Sequence, residues 1–146
     1  STDGGTLINL HQTRTAPASE RDYYSAFLVP LTDDKKRPNL VLRVRTLLVD
    51  NVINRAIWGN PEELPLAAWP ALADLYQALG DPAVQASALL QGGLADWLAA
   101  EAAAGRVRNV ELQNNMLLIY QYERAVPEKA QLQGLLAAGK QALQYV

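Results

Sequence analysis

Few side chains of this chain could carry out catalysis. The sequence has one histidine, His11, and no cysteine, so a general base or metal ligand at His11 would find neither a second histidine nor a thiolate to complete its site. No serine lies in a G-x-S-x-G motif, and the glycine patterns of phosphate-binding and dinucleotide-binding loops do not occur. We therefore expect no catalytic residue, no cofactor and no protein-bound metal, and we interpret His11 as a surface or structural residue.

The candidate carboxylates include two adjacent pairs, Asp33-Asp34 and Glu62-Glu63, and the single residues Asp74, Asp81, Asp96, Glu101 and Glu123. A catalytic pair of carboxylates needs a separation of roughly 5 to 10 Å within a cleft, whereas these pairs also suit a turn and the entrance of a helix. A carboxylate-dependent hydrolase stays an alternative, and its main form predicts a bound metal ion.

Four arginines and one tryptophan are the candidates for ligand binding. Arg43 and Arg45 share one face of a predicted strand, and Arg106 and Arg108 share a face of another. If these strands are neighbours, the arginines form a basic patch able to hold a carboxylate, a phosphate or a lipid headgroup, with Trp58 nearby. The alternative is an ordinary solvated sheet face.

The clearest structural signal is a β-hairpin in residues 106–121. Two apolar runs meet at Asn114-Asn115, and a two-residue loop there places Val110 opposite Ile119 and Leu112 opposite Leu117 on one face. That face needs a cover, which a final helix over residues 127–146 supplies through leucines at helical spacing. These leucines are Leu132, Leu135, Leu136 and Leu143.

The other face of the hairpin is apolar as well. It carries Met116, Leu118, Tyr120 and Tyr122, so we expect both faces to be partly covered, and this second face is where we expect function to lie.

Three further strands are predicted in the N-terminal part of the chain, at residues 6–11, 23–31 and 39–45, with Pro30 at the end or edge of its strand. Their connections are too short for crossover helices, so the strands should be antiparallel. In the third strand, Leu40, Leu42 and Val44 share one face.

Helices are predicted between this strand and the hairpin. Residues 46–57 fit a strand or a short helix, and a short helix is preferred. Residues 65–79 carry a helical apolar stripe with Gly80 just beyond it, residues 82–91 and 94–104 follow as two helical pieces, and Gly92-Gly93 interrupts them. The resulting fold class is α+β, with an antiparallel sheet of about five strands packed against three to four helices.

Composition supports one folded domain. The chain has 146 residues, of which 49% are hydrophobic and 19% are charged, and its net charge is −2, which gives nucleic acid no basic surface to bind. No apolar run is long enough to span a bilayer. We expect residues 1–146 to be a single soluble domain taken from a longer protein, with residues 1–5 flexible.

The order of several segments is similar to that of an uncharacterised family of bacterial proteins, in which one or two transmembrane helices precede an α+β domain of unknown function. The segments are NLVLRVRTLLVDNVI, IWGNPEE, GDPAVQASALL and GRVRNVELQNNMLLIY, and the resemblance covers residues 23–143. This chain has Asn60 where the family has Asp, and a helix-like stretch at residues 64–79 where the family has a strand. The resemblance implies a membrane-tethered soluble module and transfers no activity. For such a tethered protein we expect this domain to lie in the cytoplasm.

These observations favour a non-enzymatic interaction or scaffolding domain of a membrane-associated bacterial protein. Its partner would be another protein or a second copy, and a membrane would be reached only through a segment outside this chain. The alternative is a binder of a small anionic ligand or lipid headgroup through the arginine-rich sheet face. That alternative uses Arg43, Arg45, Trp58, Arg106 and Arg108.

Overall fold

An antiparallel sheet forms the framework of the computed structural model, which describes residues 5–13, 21–45, 61–123 and 126–146. Within these ranges the sheet has seven strands, in the order β1-β2-β7-β6-β3-β5-β4. The strands are β1 (Thr6–Thr13), β2 (Arg21–Pro30), β3 (Asn39–Val44), β4 (Glu62–Leu64), β5 (Tyr76–Asp81), β6 (Asn109–Gln113) and β7 (Met116–Glu123). The predicted α+β class is confirmed, and the sheet is larger than the expected five strands.

Four α-helices are described along these ranges, namely α1 (Pro70–Leu75), α2 (Ala83–Leu89), α3 (Ala95–Ala103) and α4 (Lys129–Ala142). A single π-helical turn at Leu90–Leu94 joins α2 to α3, and Gly93 adopts a φ of 113° inside it. A side chain is strained at that φ, so glycine suits the position. The predicted interruption at Gly92-Gly93 is confirmed, because the backbone leaves helical geometry at Gly93 between the two helical pieces. No helix in the described ranges has the length and apolar character needed to cross a membrane.

The predicted hairpin is present at the centre of the sheet. Asn114 and Asn115 have φ angles of 49° and 56°, as a two-residue hairpin turn with the twist of the strands requires. Val110 pairs with Ile119 and Leu112 with Leu117, which confirms the predicted register. Because β7 pairs with β2 and β6 pairs with β3, the hairpin separates two strands that are consecutive along the chain.

One face of the sheet packs against the helices, and this face holds the main core. Phe27, Leu40, Leu112 and Ile119 are buried there together with Leu135 of α4. The predicted cover is confirmed by Leu135, with Leu136 and Leu143 packed at its margin. Glu128 and Gln131 form a capping box at the start of α4, which satisfies backbone N–H groups that the helix itself leaves unpaired.

The predicted helix over residues 65–79 is wrong for most of its length. Only Pro70–Leu75 is helical, and Tyr76–Asp81 continues directly into β5. The segment has an inward row of Tyr76, Ala78 and Gly80, all buried, so a period of two fits it as well as a helical period. Pairing with β3 over its full length decides the outcome. Gly80 is thus a strand residue whose missing Cβ makes room for Ala86 of α2.

The remaining predictions differ from the structure mainly at their ends. β1 continues to Thr13, β2 ends at Pro30 as expected, and β3 ends at Val44. Gly105 follows α3 with a φ of 81°. The predictions for residues 46–57 and 1–4, and the candidate Trp58, lie outside the described residues.

Two glycines of α4 allow a test of this packing. A Cβ at Gly139 would collide with the ring of Phe27, whereas a Cβ at Gly134 would have Arg108 Nη2 at 3.5 Å as its nearest neighbour. Gly139→Ala should lower the free energy of unfolding by about 1–3 kcal/mol through overpacking, and Gly134→Ala should leave it unchanged or raise it by up to about 1 kcal/mol through helix propensity. Urea unfolding of both variants measures the difference, and equal stabilisation by the two substitutions would contradict the described contact of α4 with β2.

Candidate functional site

The face of the sheet that points away from the helices brings the more unusual side chains together, and we call it the second face. Side chains alternate along each strand, so Leu40 and Leu42 point to the helices while Val41 and Arg43 point to the second face. By the same alternation Glu111, between Val110 and Leu112 of the core, also lies on the second face.

Four successive cross-strand pairs of β2 and β7 form an uncharged ladder on the second face. The pairs are Tyr24–Tyr122, Ala26–Tyr120, Leu28–Leu118 and Pro30–Met116. The ring centroids of Tyr24 and Tyr122 are 5.7 Å apart, and those of Tyr24 and Tyr120 are 6.3 Å apart, distances typical of favourable aromatic contacts. Tyr122 is 46% exposed and Met116 is 43% exposed. The ladder is thus part of the molecular surface along its two ends.

A buried ion pair adjoins this uncharged ladder. Arg43 Nη2 donates to Glu111 Oε2 at 3.3 Å, and Gln113 Nε2 donates to Glu111 Oε1 at 2.9 Å. Only 9% of Arg43 and 6% of Glu111 is exposed. The Nε and Nη1 atoms of Arg43 are buried and have no hydrogen-bond partner among the described residues. An unsatisfied buried donor costs about 1–3 kcal/mol of stability. These two Arg43 nitrogens therefore lower the stability of the folded sheet.

Tyr120 connects the uncharged ladder to the ion pair. Burial, followed by the negative charge of Glu111 and a hydrogen bond with it, raises the pKa of the Tyr120 phenol, and Arg43 opposes this shift. A phenol with a raised pKa stays protonated and so remains a hydrogen-bond donor. The Tyr120 phenol therefore joins the aromatic side chains of the ladder to the Glu111 carboxylate.

Arg106 and Arg108 lie elsewhere, beside helix α3. Arg106 Nε and Arg108 Nη1 donate to the same Glu101 oxygen, at 2.9 and 2.8 Å, and Arg108 Nε donates to Gln121 at 3.0 Å. The guanidinium of Arg106, and then that of Arg108, lowers the pKa of Glu101 below its usual value against the effect of burial. Through Arg108, these hydrogen bonds link helix α3 to strand β7 on the helix side of the sheet.

The hydroxyl of Tyr76 forms two hydrogen bonds with the backbone of Arg108, the residue before β6. It donates to the Arg108 carbonyl at 2.7 Å and accepts from the Arg108 N–H at 3.1 Å. Burial raises the pKa of Tyr76 to about 12, so this bridge is protonated at neutral pH.

The structure does not bring the four candidate arginines into one patch. β3 and β6 are neighbours as the hypothesis required, yet Arg43 lies on the second face and Arg108 on the helix face. Arg45 is exposed just beyond β3, with its Nε donating to the Ala73 carbonyl at 3.3 Å. It lines an open cleft of about 380 Å³ together with Glu63, Leu64, Pro65, Leu66 and Ala73.

The other candidates for chemistry have structural contacts. Both terminal nitrogens of Arg37 donate to the Asp33 carboxylate at 2.7 Å, and this hydrogen bonding is the main reason that the pKa of Asp33 falls to about 2. His11 pairs with Tyr23 in the β1–β2 ladder. The described part of the chain contains no group of three or more histidine or acidic side chains placed to hold a metal ion.

The sequence predicts the second face of the hairpin, but it does not reveal the contacts of Glu111 with Arg43 and with Gln113. The alternation of Val110, Glu111 and Leu112 shows that Glu111 points away from the core. Its partner becomes visible only once β3 is known to be the neighbour of β6.

A double-mutant cycle tests the ion pair. Arg43→Met or Glu111→Leu alone leaves a buried charge without its partner and should lower the free energy of unfolding by about 3–5 kcal/mol, whereas the double variant should lose less than either single variant. Chemical denaturation gives the four free energies. The cycle of Arg37→Met with Asp33→Ala is a comparison in which only one partner is buried: the side chain of Arg37 is 5% exposed and that of Asp33 is 58% exposed, so its coupling should be smaller. Additive losses for Arg43 and Glu111 would rule out the described pair.

Comparisons of this chain with protein-family models, with curated proteins and with solved structures find no match. The resemblance to an uncharacterised bacterial family thus stays a prediction from the sequence segments alone.

Proposed function

We propose that this domain is a non-enzymatic interaction module that binds a protein partner through the second face of its sheet. The observation that carries the proposal is the uncharged ladder, in which four consecutive cross-strand pairs lack any charged side chain and whose ends at Met116 and Tyr122 are more than two-fifths exposed. Tyrosine and methionine are enriched in protein interfaces, while charged residues are depleted at their centres.

The shape of the ladder favours a macromolecule over a small ligand. Residues 116 and 122 of β7 are six positions apart, so the ladder extends for roughly 20 Å at the rise of a β-strand. A small molecule is normally enclosed in a concave pocket, whereas a protein surface can cover a row of this length.

The membrane-associated setting is a second part of the proposal. In this proposal the domain is a tethered scaffold on the cytoplasmic side of a membrane. The segments that resemble the bacterial family with transmembrane helices support the tether. The binding surface itself does not depend on this tether.

Site-specific photo-crosslinking tests the binding surface. The photoreactive residue p-benzoylphenylalanine is placed in turn at Met116, at Tyr122 and, as a control, at Val84 of α2, which is 84% exposed. Cells of the native host are irradiated and the adducts are identified by mass spectrometry. We expect one and the same protein to be captured from positions 116 and 122 but not from position 84.

A single substitution provides a second test of this binding surface. Met116→Lys introduces a charge into the uncharged ladder and should reduce capture from position 122 by about tenfold or more, which corresponds to about 1.4 kcal/mol of binding free energy. Circular dichroism confirms that the variant is folded. Capture that is equal from all three positions, or unaffected by the lysine, would count against the second face as the interface.

A small anionic ligand is the second candidate function, and the cleft beside Arg45 is the observation that favours it. Arg45 is exposed at the wall of this cleft, and a guanidinium binds carboxylate or phosphate oxygens well. Glu63 lines the same cleft and should weaken the binding of an anion.

Thermal-shift measurements with inorganic phosphate decide this candidate, because a ligand that binds only the native state raises the melting temperature. The rise should disappear in Arg45→Ala and grow in Glu63→Gln. Arg106→Ala is the control, since Arg106 is already paired with Glu101. An equal shift in the wild type and in Arg45→Ala would exclude the cleft as an anion site.

A further inference from the structure

Among the described residues, the outer edge of β1 has no neighbouring strand. β1 is the terminal strand, it is eight residues long, and in the described part of the chain it pairs only with β2. Every second residue of such a strand turns its backbone N–H and C=O away from the sheet, where they form a template for a further strand.

The two edges of the sheet differ in how they are protected. β4, at the opposite edge, has three residues, and two of them are the exposed Glu62 and Glu63. Short length and charge are both devices that discourage strand addition. The sequence of β1, TLINLHQT, has no lysine, arginine, acidic residue or proline. The β4 edge is therefore protected against strand addition, whereas the β1 edge is suited to it.

We propose that β1 pairs with β1 of a second copy of this chain, antiparallel, so that two seven-stranded sheets join into one. A second copy fits because the same strand meets itself in a symmetric, isologous contact. Since β1 carries no charged side chain, the contact brings no like charges together, and the net charge of −2 for the whole chain adds little repulsion. This inference is independent of the proposed partner of the second face.

Symmetry restricts the register of this pairing. A two-fold axis perpendicular to the sheet keeps the helix face of each copy on the same side. Residues opposite each other must then belong to the same face, so their numbers differ by an even number. The longest pairings that obey this rule join residues 6–12 to themselves, centred on Asn9, or residues 7–13 to themselves, centred on Leu10. In either case the central residue lies opposite its own copy.

The central residue allows a charge-reversal experiment. In sedimentation velocity over a wide concentration range, the wild type should form dimers. Asn9→Lys and Asn9→Glu, or the corresponding pair at Leu10, should each weaken association by about tenfold or more because like charges face each other. A one-to-one mixture of the lysine and glutamate variants should restore the dimer.

A control and a second measurement complete the test. Glu63→Lys on the β4 edge should leave association unchanged. Circular dichroism reports whether each variant is folded. Hydrogen exchange of wild-type β1 amides should slow as protein concentration rises, because dimers would protect them. A wild type that is monomeric at every concentration, dimers that persist in the lysine variants at both positions, or exchange in β1 that does not depend on concentration would overturn the proposal.

Discussion

The pairing of β6 with β7 is the constraint on which the rest of the molecule depends. A turn of two residues with positive φ, Asn114 and Asn115, fixes which side chains of the hairpin lie opposite each other. A slip of one residue would move Leu117 and Ile119 out of the helix-facing core and would place Leu118 and Tyr120 there instead. One short turn thus determines the composition of both the core and the second face.

The features that the sequence predicted are those that depend on local order. The hairpin register follows from an adjacent turn, the kink from Gly93, and the burial of Leu135 from spacing within a single helix. β5 was missed because Tyr76–Asp81 satisfies both a helical and a strand period, and the decision comes from β3, whose paired residues lie 32 to 42 positions earlier in the chain. Local sequence contains no information about that neighbour.

The candidate site shows the same contrast between features that local sequence determines and features that depend on distant strands. The side of the strand on which Arg43 lies was readable from Leu40 and Leu42, whereas its contact with Glu111 requires β3 and β6 to be adjacent. Arg108 has the same parity as Val110 and Leu112, so alternation already places it on the helix side, and its contacts with Glu101 and Gln121 hold it there. Trp69 and Trp97 are packed at the margin of the core.

The central place of the hairpin also has a consequence for biosynthesis. β2 and β3 are made early by the ribosome, yet each borders a strand of the hairpin and not the other. Until β6 and β7 have left the exit tunnel, the nascent chain can hold only two separate pieces of sheet, β1 with β2 and β3 with β5 and β4. Such pieces lack their central strands and expose apolar faces. The core can therefore form only after β6 and β7 have been synthesised, and until then the exposed apolar faces favour aggregation.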